Sequence, residues 1–260
     1  MKFQKTKVRY SHKENDKILE EWNNKSVLNG AGSIETDGVA YKGVINTFSG
    51  SDGKTYHERK AGKEEDIWNN SDKRILFIAK ELNDPNNPYD SRVVVTFNPE
   101  EGIVPSNKFI KAMLFITSGL LHSTEKSPAA FNKDEPMKNL MADWDSAAVA
   151  KINVKKQPGG ATSSFAEISK SMEDYKEFLV RQIKLLNANI IICCDAKGVI
   201  LRSIIDWVYS NAKMVNDYVS YDKDTETLLI NSYHLSARKS YKNIYDRVIA
   251  SYTDALAKLR

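Results

Sequence analysis

The sequence predicts an α/β protein with three layers, α/β/α, built around a central, mostly parallel sheet of four strands. Three observations predict it. After residue 73, short apolar runs alternate with segments whose apolar residues recur at helical spacing. The apolar runs are rich in branched residues and bounded by polar turns, as strands buried on both faces are. Strands joined through helices leave their carboxyl ends along one edge, where such sheets bind ligands.

The elements follow in order. Residues 1–72 read as an irregular elaboration packed on the main domain, 73–260. Its turn clusters are Asp37-Gly38, Ser49 to Gly53 and Asn69 to Asp72, with a short strand over Val39 to Ile45. Arg74-Ile-Leu-Phe-Ile-Ala79 is the first buried strand, and Arg92 to Phe97 a second candidate at an edge. From Ser106 to His122 the positions Phe109, Ile110, Met113, Leu114, Thr117 and Leu121 share one helical face, with Ser106 as N-cap. Ala147 to Val154 is the next strand. Ser171-Met-Glu-Asp174 reads as a helix start, and Asn187-Ala-Asn189 ends that helix. A strand at Ile190 to Cys194, a helix at Val199 to Tyr209, a hairpin within Tyr218 to Tyr233 and a helix at Tyr241 to Leu259 complete the chain.

The composition is that of a globular protein, with 41% hydrophobic and 28% charged residues over 260 positions. The net charge is +4 (38 Lys and Arg against 34 Asp and Glu), which permits a polyanionic partner without requiring one. The cysteines are two adjacent residues, Cys193 and Cys194, which on a strand point to opposite faces. Two cysteines exclude an iron–sulfur cluster and a four-cysteine zinc site. The sequence therefore implies no metal and no other cofactor. Its charged start lacks the apolar core of a signal peptide, and no run has the length of a membrane span. The expectation is a cytoplasmic protein without membrane contact, monomeric by preference.

Four loops lie at the expected carboxyl ends of the strands: 80–90, 155–163, 195–198 and 234–240. The first holds Glu81 and Asn83, and a carboxylate there can orient water or stabilise a cation. The second follows Asn153, a polar residue in an otherwise apolar strand that must find hydrogen bonds if buried. An amide offers both a donor and an acceptor to a planar base edge. Lys155 and Lys156 add positive charge, and Gly159-Gly160 lets a ligand approach the backbone. The fourth, His234-Leu-Ser-Ala-Arg238, places an imidazole, a hydroxyl and a guanidinium together, and its histidine is one of only four. A lone histidine after a strand is usually satisfied by backbone. A carboxylate, an amide and a histidine at the ends of successive strands form a combination.

In order and spacing these motifs resemble the uracil-DNA glycosylase superfamily over roughly residues 74 to 259. Arg74 to Asn83 stands where that family has a strand followed by Gly-Gln-Asp-Pro-Tyr or Gly-Glu-Ala-Pro-Gly. Ile152-Asn-Val-Lys-Lys-Gln-Pro158 is similar to the Asn-x-x-Lys-Cys-x-Pro stretch of its iron–sulfur branch. Leu185 to Ile192 resembles the segment before its third strand, and His234-Leu-Ser236 its His-Pro-Ser motif. The departures are Ala79 for a glycine, Leu82 and Leu235 for prolines, and the missing cluster cysteines. Glu81 falls where one branch has a catalytic Asp, while Lys80 falls where the iron–sulfur branch has its Glu.

The resemblance implies a DNA partner and hydrolysis of the N-glycosidic bond of uracil or a related damaged base flipped from the stack. By position, Glu81 would face the sugar and place water, and His234 would hold the departing base. Asn153 would read the base edge, while Lys155, Ser236 and Arg238 would contact phosphates, with Asn83 beside the substrate. Phe97 or Phe109 would stack on the base. Two other readings stand beside it: a non-catalytic nucleic-acid-binding member of the same fold, and a nucleoside or nucleotide hydrolase.

Overall fold

The computed structural model describes residues 9–82, 89–93, 102–105, 107–159 and 164–260. A mixed sheet of seven strands forms its centre, in the order β1-β5-β4-β6-β9-β8-β7. The four middle strands are parallel: β5 (Ala148–Pro158), β4 (Arg74–Leu82), β6 (Ile190–Cys194) and β9 (Thr227–Ser232). These are the four that the apolar runs predict. The three further strands are β1 (Gly38–Val39), antiparallel to β5, and the outer pair β8 (Val219–Asp222) and β7 (Lys213–Asn216) beyond β9. The sheet is thus larger than the predicted four strands, because short polar segments joined its edges.

Side-chain alternation divides the core into two. Ile75, Phe77, Val149, Ile190, Ile192, Leu228 and Ile230 face one layer. That layer holds α3 (Lys108–His122), α4 (Met137–Ser146) and α8 (Tyr241–Lys258). Leu76, Ile78, Ala150, Ile152, Ile191 and Leu229 face the other. There α1 (His12–Leu28), α2 (Glu64–Asn70), α5 (Phe165–Asp174), α6 (Lys176–Leu186) and α7 (Val199–Val208) pack. Each fully buried branched residue contributes about 1.5–3 kcal/mol, and two faces of such residues hold the sheet between its helices. Cys193 joins one core and Cys194 the other, and both thiols are free.

Several expectations are corrected. The region before residue 72 is not irregular: it contains α1, α2 and the hairpin β2 (Ile45–Ser49) and β3 (Thr55–Arg59). The expected strand over Val39 to Ile45 is split between β1 and β2. Asp37-Gly38 is no turn, since Asp37 is fully buried and Gly38 opens β1. Ser91–Val93 is a 3-10 turn rather than strand, and the rest of that expected strand lies outside the described residues. Ser106, the expected cap of α3, also lies outside them; Asn107 caps the helix, accepting from the Ile110 N–H at 2.8 Å. Ser171 lies inside α5, which starts six residues earlier at Phe165. Tyr175 then separates α5 from α6.

Glu81 and Lys155 belong to strands, not loops, because β4 and β5 run on to Leu82 and Pro158. The two strands stay paired to their carboxyl ends, Glu81 opposite Lys155 and Leu82 opposite Pro158. A crevice lies beside these ends, lined from both strands, from α3 and from the segment after β9.

Candidate functional site

The crevice is built by continuing two strand faces. On β4 the face that carries Ile75 and Phe77 goes on to Ala79 and Glu81. On β5 the face of Val149 goes on to Lys151, Asn153 and Lys155. The change from apolar to polar comes at Lys151 on β5, opposite Phe77, and at Glu81 on β4, opposite Lys155, and marks where the core gives way to a cleft. α3 covers it with Phe109, Ile110 and Met113, and the segment after β9 adds His234 and Ser236. Its volume is about 260 Å³, at the small end of ligand pockets, which run from about 300 to 1,000 Å³. The space suits a single planar base better than a large cofactor.

Glu81 faces Lys155 across the parallel pair, and Lys155 Nζ lies 2.5 Å from Glu81 Oε2. A Cβ on Gly159 would meet that carboxylate, so any other residue there would push the end of the Glu81 side chain aside. Asn153 is 1% exposed. Its backbone N–H donates to Asp37 Oδ2 at 2.9 Å, and its Nδ2 donates to Glu35 Oε1. Its Oδ1 is buried and has no hydrogen-bond partner among the described residues. Ser91 Oγ, also in the cleft lining, is buried and unpartnered as well. Buried polar atoms without partners cost about 1–3 kcal/mol each, so such atoms facing a cleft mark a place for a ligand.

Beneath Asn153 lies a buried charged group. Asp37 accepts from Lys156 Nζ, and its other oxygen accepts from Gln182 Nε2 at 2.8 Å. Lys156, fully buried, also donates to Asn153 O at 3.1 Å and sits 4.8 Å from the centre of the Trp22 ring. Burial pulls its pKa down and the two acids Asp37 and Glu35 push it back up, with burial prevailing. Glu35 Oε2 is 3.6 Å from Lys151 Nζ. Burial raises the Glu35 pKa, against the pull of Lys151. The N-terminal segment thus holds Asn153 in place, and its Gly38 and Ala40 line the cleft.

His234 is held by the loop that follows it. The Ser236 N–H donates to His234 Nδ1 at 3.3 Å, which assigns the proton to Nε2. Phe109 packs on the imidazole with ring centres 5.7 Å apart. Burial first, then the charges of Lys80 and Lys151, lower the His234 pKa to about 4. At neutral pH the ring is therefore an uncharged N–H donor. Lys108 Nζ donates to Ala237 O at 2.6 Å and so ties this loop to the start of α3. Leu235, fully buried, anchors it in the core.

Of the residues singled out in the sequence, Glu81, Asn153, His234 and Ser236 line this one cleft. Lys155 is held against Glu81 and lies along a separate depression with Gln157 and Tyr175. Arg238 is exposed and is not part of the lining. Of the two aromatic candidates, Phe109 lines the cleft. Asn83 and Phe97 lie outside the described residues. Sequence reasoning missed Lys151, Ser91, Glu35 and Asp37. Lys151 had a signal, the alternation of polar residues at 151, 153 and 155 in an apolar strand.

Among the described residues, no three His, Cys, Asp or Glu side chains are grouped to hold a metal ion, and no helix is long and apolar enough to cross a membrane. No protein-family model matches the chain, and no curated protein matches it.

Proposed function

We propose that this protein is a base-releasing hydrolase with a uracil-DNA glycosylase-like fold, acting on uracil or a related damaged base in DNA. One observation carries the reading. A carboxylate, an amide with an unsatisfied oxygen and a neutral imidazole converge on a cleft of about 260 Å³ beyond the strand ends.

Breaking an N-glycosidic bond makes the sugar cationic and the base anionic, so the site needs opposite charge at its two ends. Glu81 supplies the negative end, facing the sugar and orienting water. Lys155 fixes that carboxylate and keeps it from swinging away. The Nε2–H of His234 donates to the base oxygen on which charge develops, and the Lys151 ammonium adds a fixed positive charge. Asn153 pairs with the base edge, and Phe109 covers a ring face. Ser236, with the exposed Arg238 and Lys239, meets phosphates outside the cleft.

A second reading draws on the same Glu81–Lys155 contact. A carboxylate neutralised by a lysine is a weaker partner for a developing cation, which favours a protein that holds a flipped base without cutting it. One experiment separates the two. Purified protein is incubated with single- and double-stranded DNA containing uracil, hypoxanthine or a mismatched thymine, then treated with alkali to reveal abasic sites. Strand breaks support catalysis. Salt-dependent binding without breaks supports the second reading, and turnover confined to free nucleosides opposes both.

A further inference from the structure

We infer that Tyr218, Arg247 and Tyr233 form a stacking site outside the cleft, which holds an unpaired stretch of the DNA strand beside the base in the cleft. In taking DNA as the occupant, the inference rests on the reading of the cleft as a base site.

The site lies where three elements meet at the edge of the sheet. Tyr233 follows β9 and immediately precedes His234. Tyr218 precedes β8, and its carbonyl accepts from the Asn231 N–H at 2.8 Å, which sets it at the carboxyl end of β9. Arg247 comes from α8 and contacts both rings at once. Its guanidinium carbon is 4.1 Å from the centre of the Tyr218 ring and 4.3 Å from that of Tyr233. Its Nε donates to Asn231 O at 3.0 Å and so fixes the plane of the group. The segment 234–240 joins this site to the cleft. Its His234 lines the cleft, and its Lys239 Nζ lies 5.7 Å from the centre of the Tyr233 ring.

Charge and ring faces both point outward to a ligand. Among the described residues Arg247 forms no ion pair, and its terminal N–H groups have no acceptor. The acids nearest to it on α8 are engaged elsewhere, Asp246 with Lys242 and Asp254 with Lys258. Asp217 stands exposed beside Tyr218 and pairs with none of these cations. Arg238 and Lys239 are exposed and unpaired as well. A guanidinium already held in one plane is a prepared donor to phosphate oxygens. Tyr218 is 39% exposed, and among the described residues no second ring or cation covers it. An open tyrosine face beside an arginine takes a nucleobase by stacking, whatever its sequence. Bases inside a duplex have their faces covered by their neighbours, so the site accepts an unpaired strand.

The test uses the full chain and fluorescence anisotropy at one fixed salt concentration. The probes are a labelled oligothymidine, the same strand in duplex form, and a strand of equal length whose residues are abasic analogues. Wild type is expected to bind the thymidine strand at least about tenfold more tightly than either other probe. Tyr218→Ala is expected to lose about tenfold on the thymidine strand and nothing on the base-free strand. Tyr218→Phe keeps the ring and is expected to match wild type. Arg247→Ala, with folding checked by thermal unfolding, is expected to weaken both single strands by about fivefold. If that variant does not fold, Tyr218, exposed at the surface, still decides. Equal binding of the thymidine and base-free strands by wild type, or a Tyr218→Ala indistinguishable from wild type, overturns the inference. Base release from a uracil-containing strand is measured alongside. Release without the binding differences overturns this inference alone, and the binding differences without release overturn the hydrolase reading of the cleft.

Discussion

The two ends of α3 each line a cleft with a histidine and an acid, and the two clefts are built on opposite logic. At the amino-terminal end, Phe109 and Met113 cover Glu81, Asn153 and His234. At the carboxyl-terminal end, Ser118 and His122 face Asp143 in a larger depression of about 490 Å³. There Ser118 Oγ donates to Asp143 Oδ2 at 2.5 Å, and His122 Nε2 lies 3.0 Å from Asp143 Oδ1. The residue types are those of a hydrolase triad, but the order is wrong, because Asp143 stands between the serine and the histidine. Nucleophile activation needs the histidine in the middle. His122 is also 64% exposed. The larger cleft spends its polar groups on one another, while the smaller one leaves Asn153 Oδ1 and Ser91 Oγ over. Leftover buried polarity, not volume or residue type, separates these two clefts.

The strongest way to break this comparison is through stability. Asp37→Ala leaves the buried Lys156 ammonium without its carboxylate and is expected to cost about 3–5 kcal/mol in chemical denaturation. Asp143→Ala acts at a partly exposed network and is expected to cost under about 1 kcal/mol. Similar costs would mean that the buried group behind the first cleft is no more demanding than a surface cluster.

Activity comes next. On the proposed function His234→Ala removes a donor to the departing base, and the expected outcome is base release slowed by about 100- to 1,000-fold. His122→Ala is expected to leave the rate unchanged, measured by the same release assay. A pH titration then sharpens the role of burial. Because the folded pKa of His234 is depressed from 6.5 to about 4, its neutral form stabilises the fold above pH 6.5, and that contribution is lost as pH falls toward 4. The Tm advantage of wild type over His234→Asn should accordingly shrink through that window and level off below it.

The smallest effects are expected at two serines. The buried hydroxyl of Ser91 has no partner among the described residues and is desolvated, so Ser91→Ala should raise stability, by about 1 kcal/mol. Ser118→Ala, which removes a bond to Asp143, should cost about 1 kcal/mol.

The middle of the sheet was legible because its physics is local. Arg74 to Ala79, Ala147 to Val154 and Ile190 to Cys194 are apolar runs that only a buried strand explains. Glu81, Asn153 and His234 followed from counting past those runs. The edges were not legible. β1 has two residues, and its pairing with β5 is a long-range choice that no local pattern encodes. α1 hides its apolar stripe, Ile18, Leu19 and Trp22, among charged and amide residues. Glu35 and Asp37 looked like loop residues because charged side chains are seldom fully buried. What reveals them is their partners, Lys151 and Lys156, more than 110 positions away in the chain.

The central claim is that Glu81 and His234 cut a bond to a base seated on Asn153. The most direct measurement is single-turnover release of free uracil from a uracil-containing single strand, followed by chromatography for wild type and Glu81→Gln. The account predicts release by wild type and a rate at least about 100-fold lower in Glu81→Gln. Equal rates, or no uracil released by wild type, would contradict it.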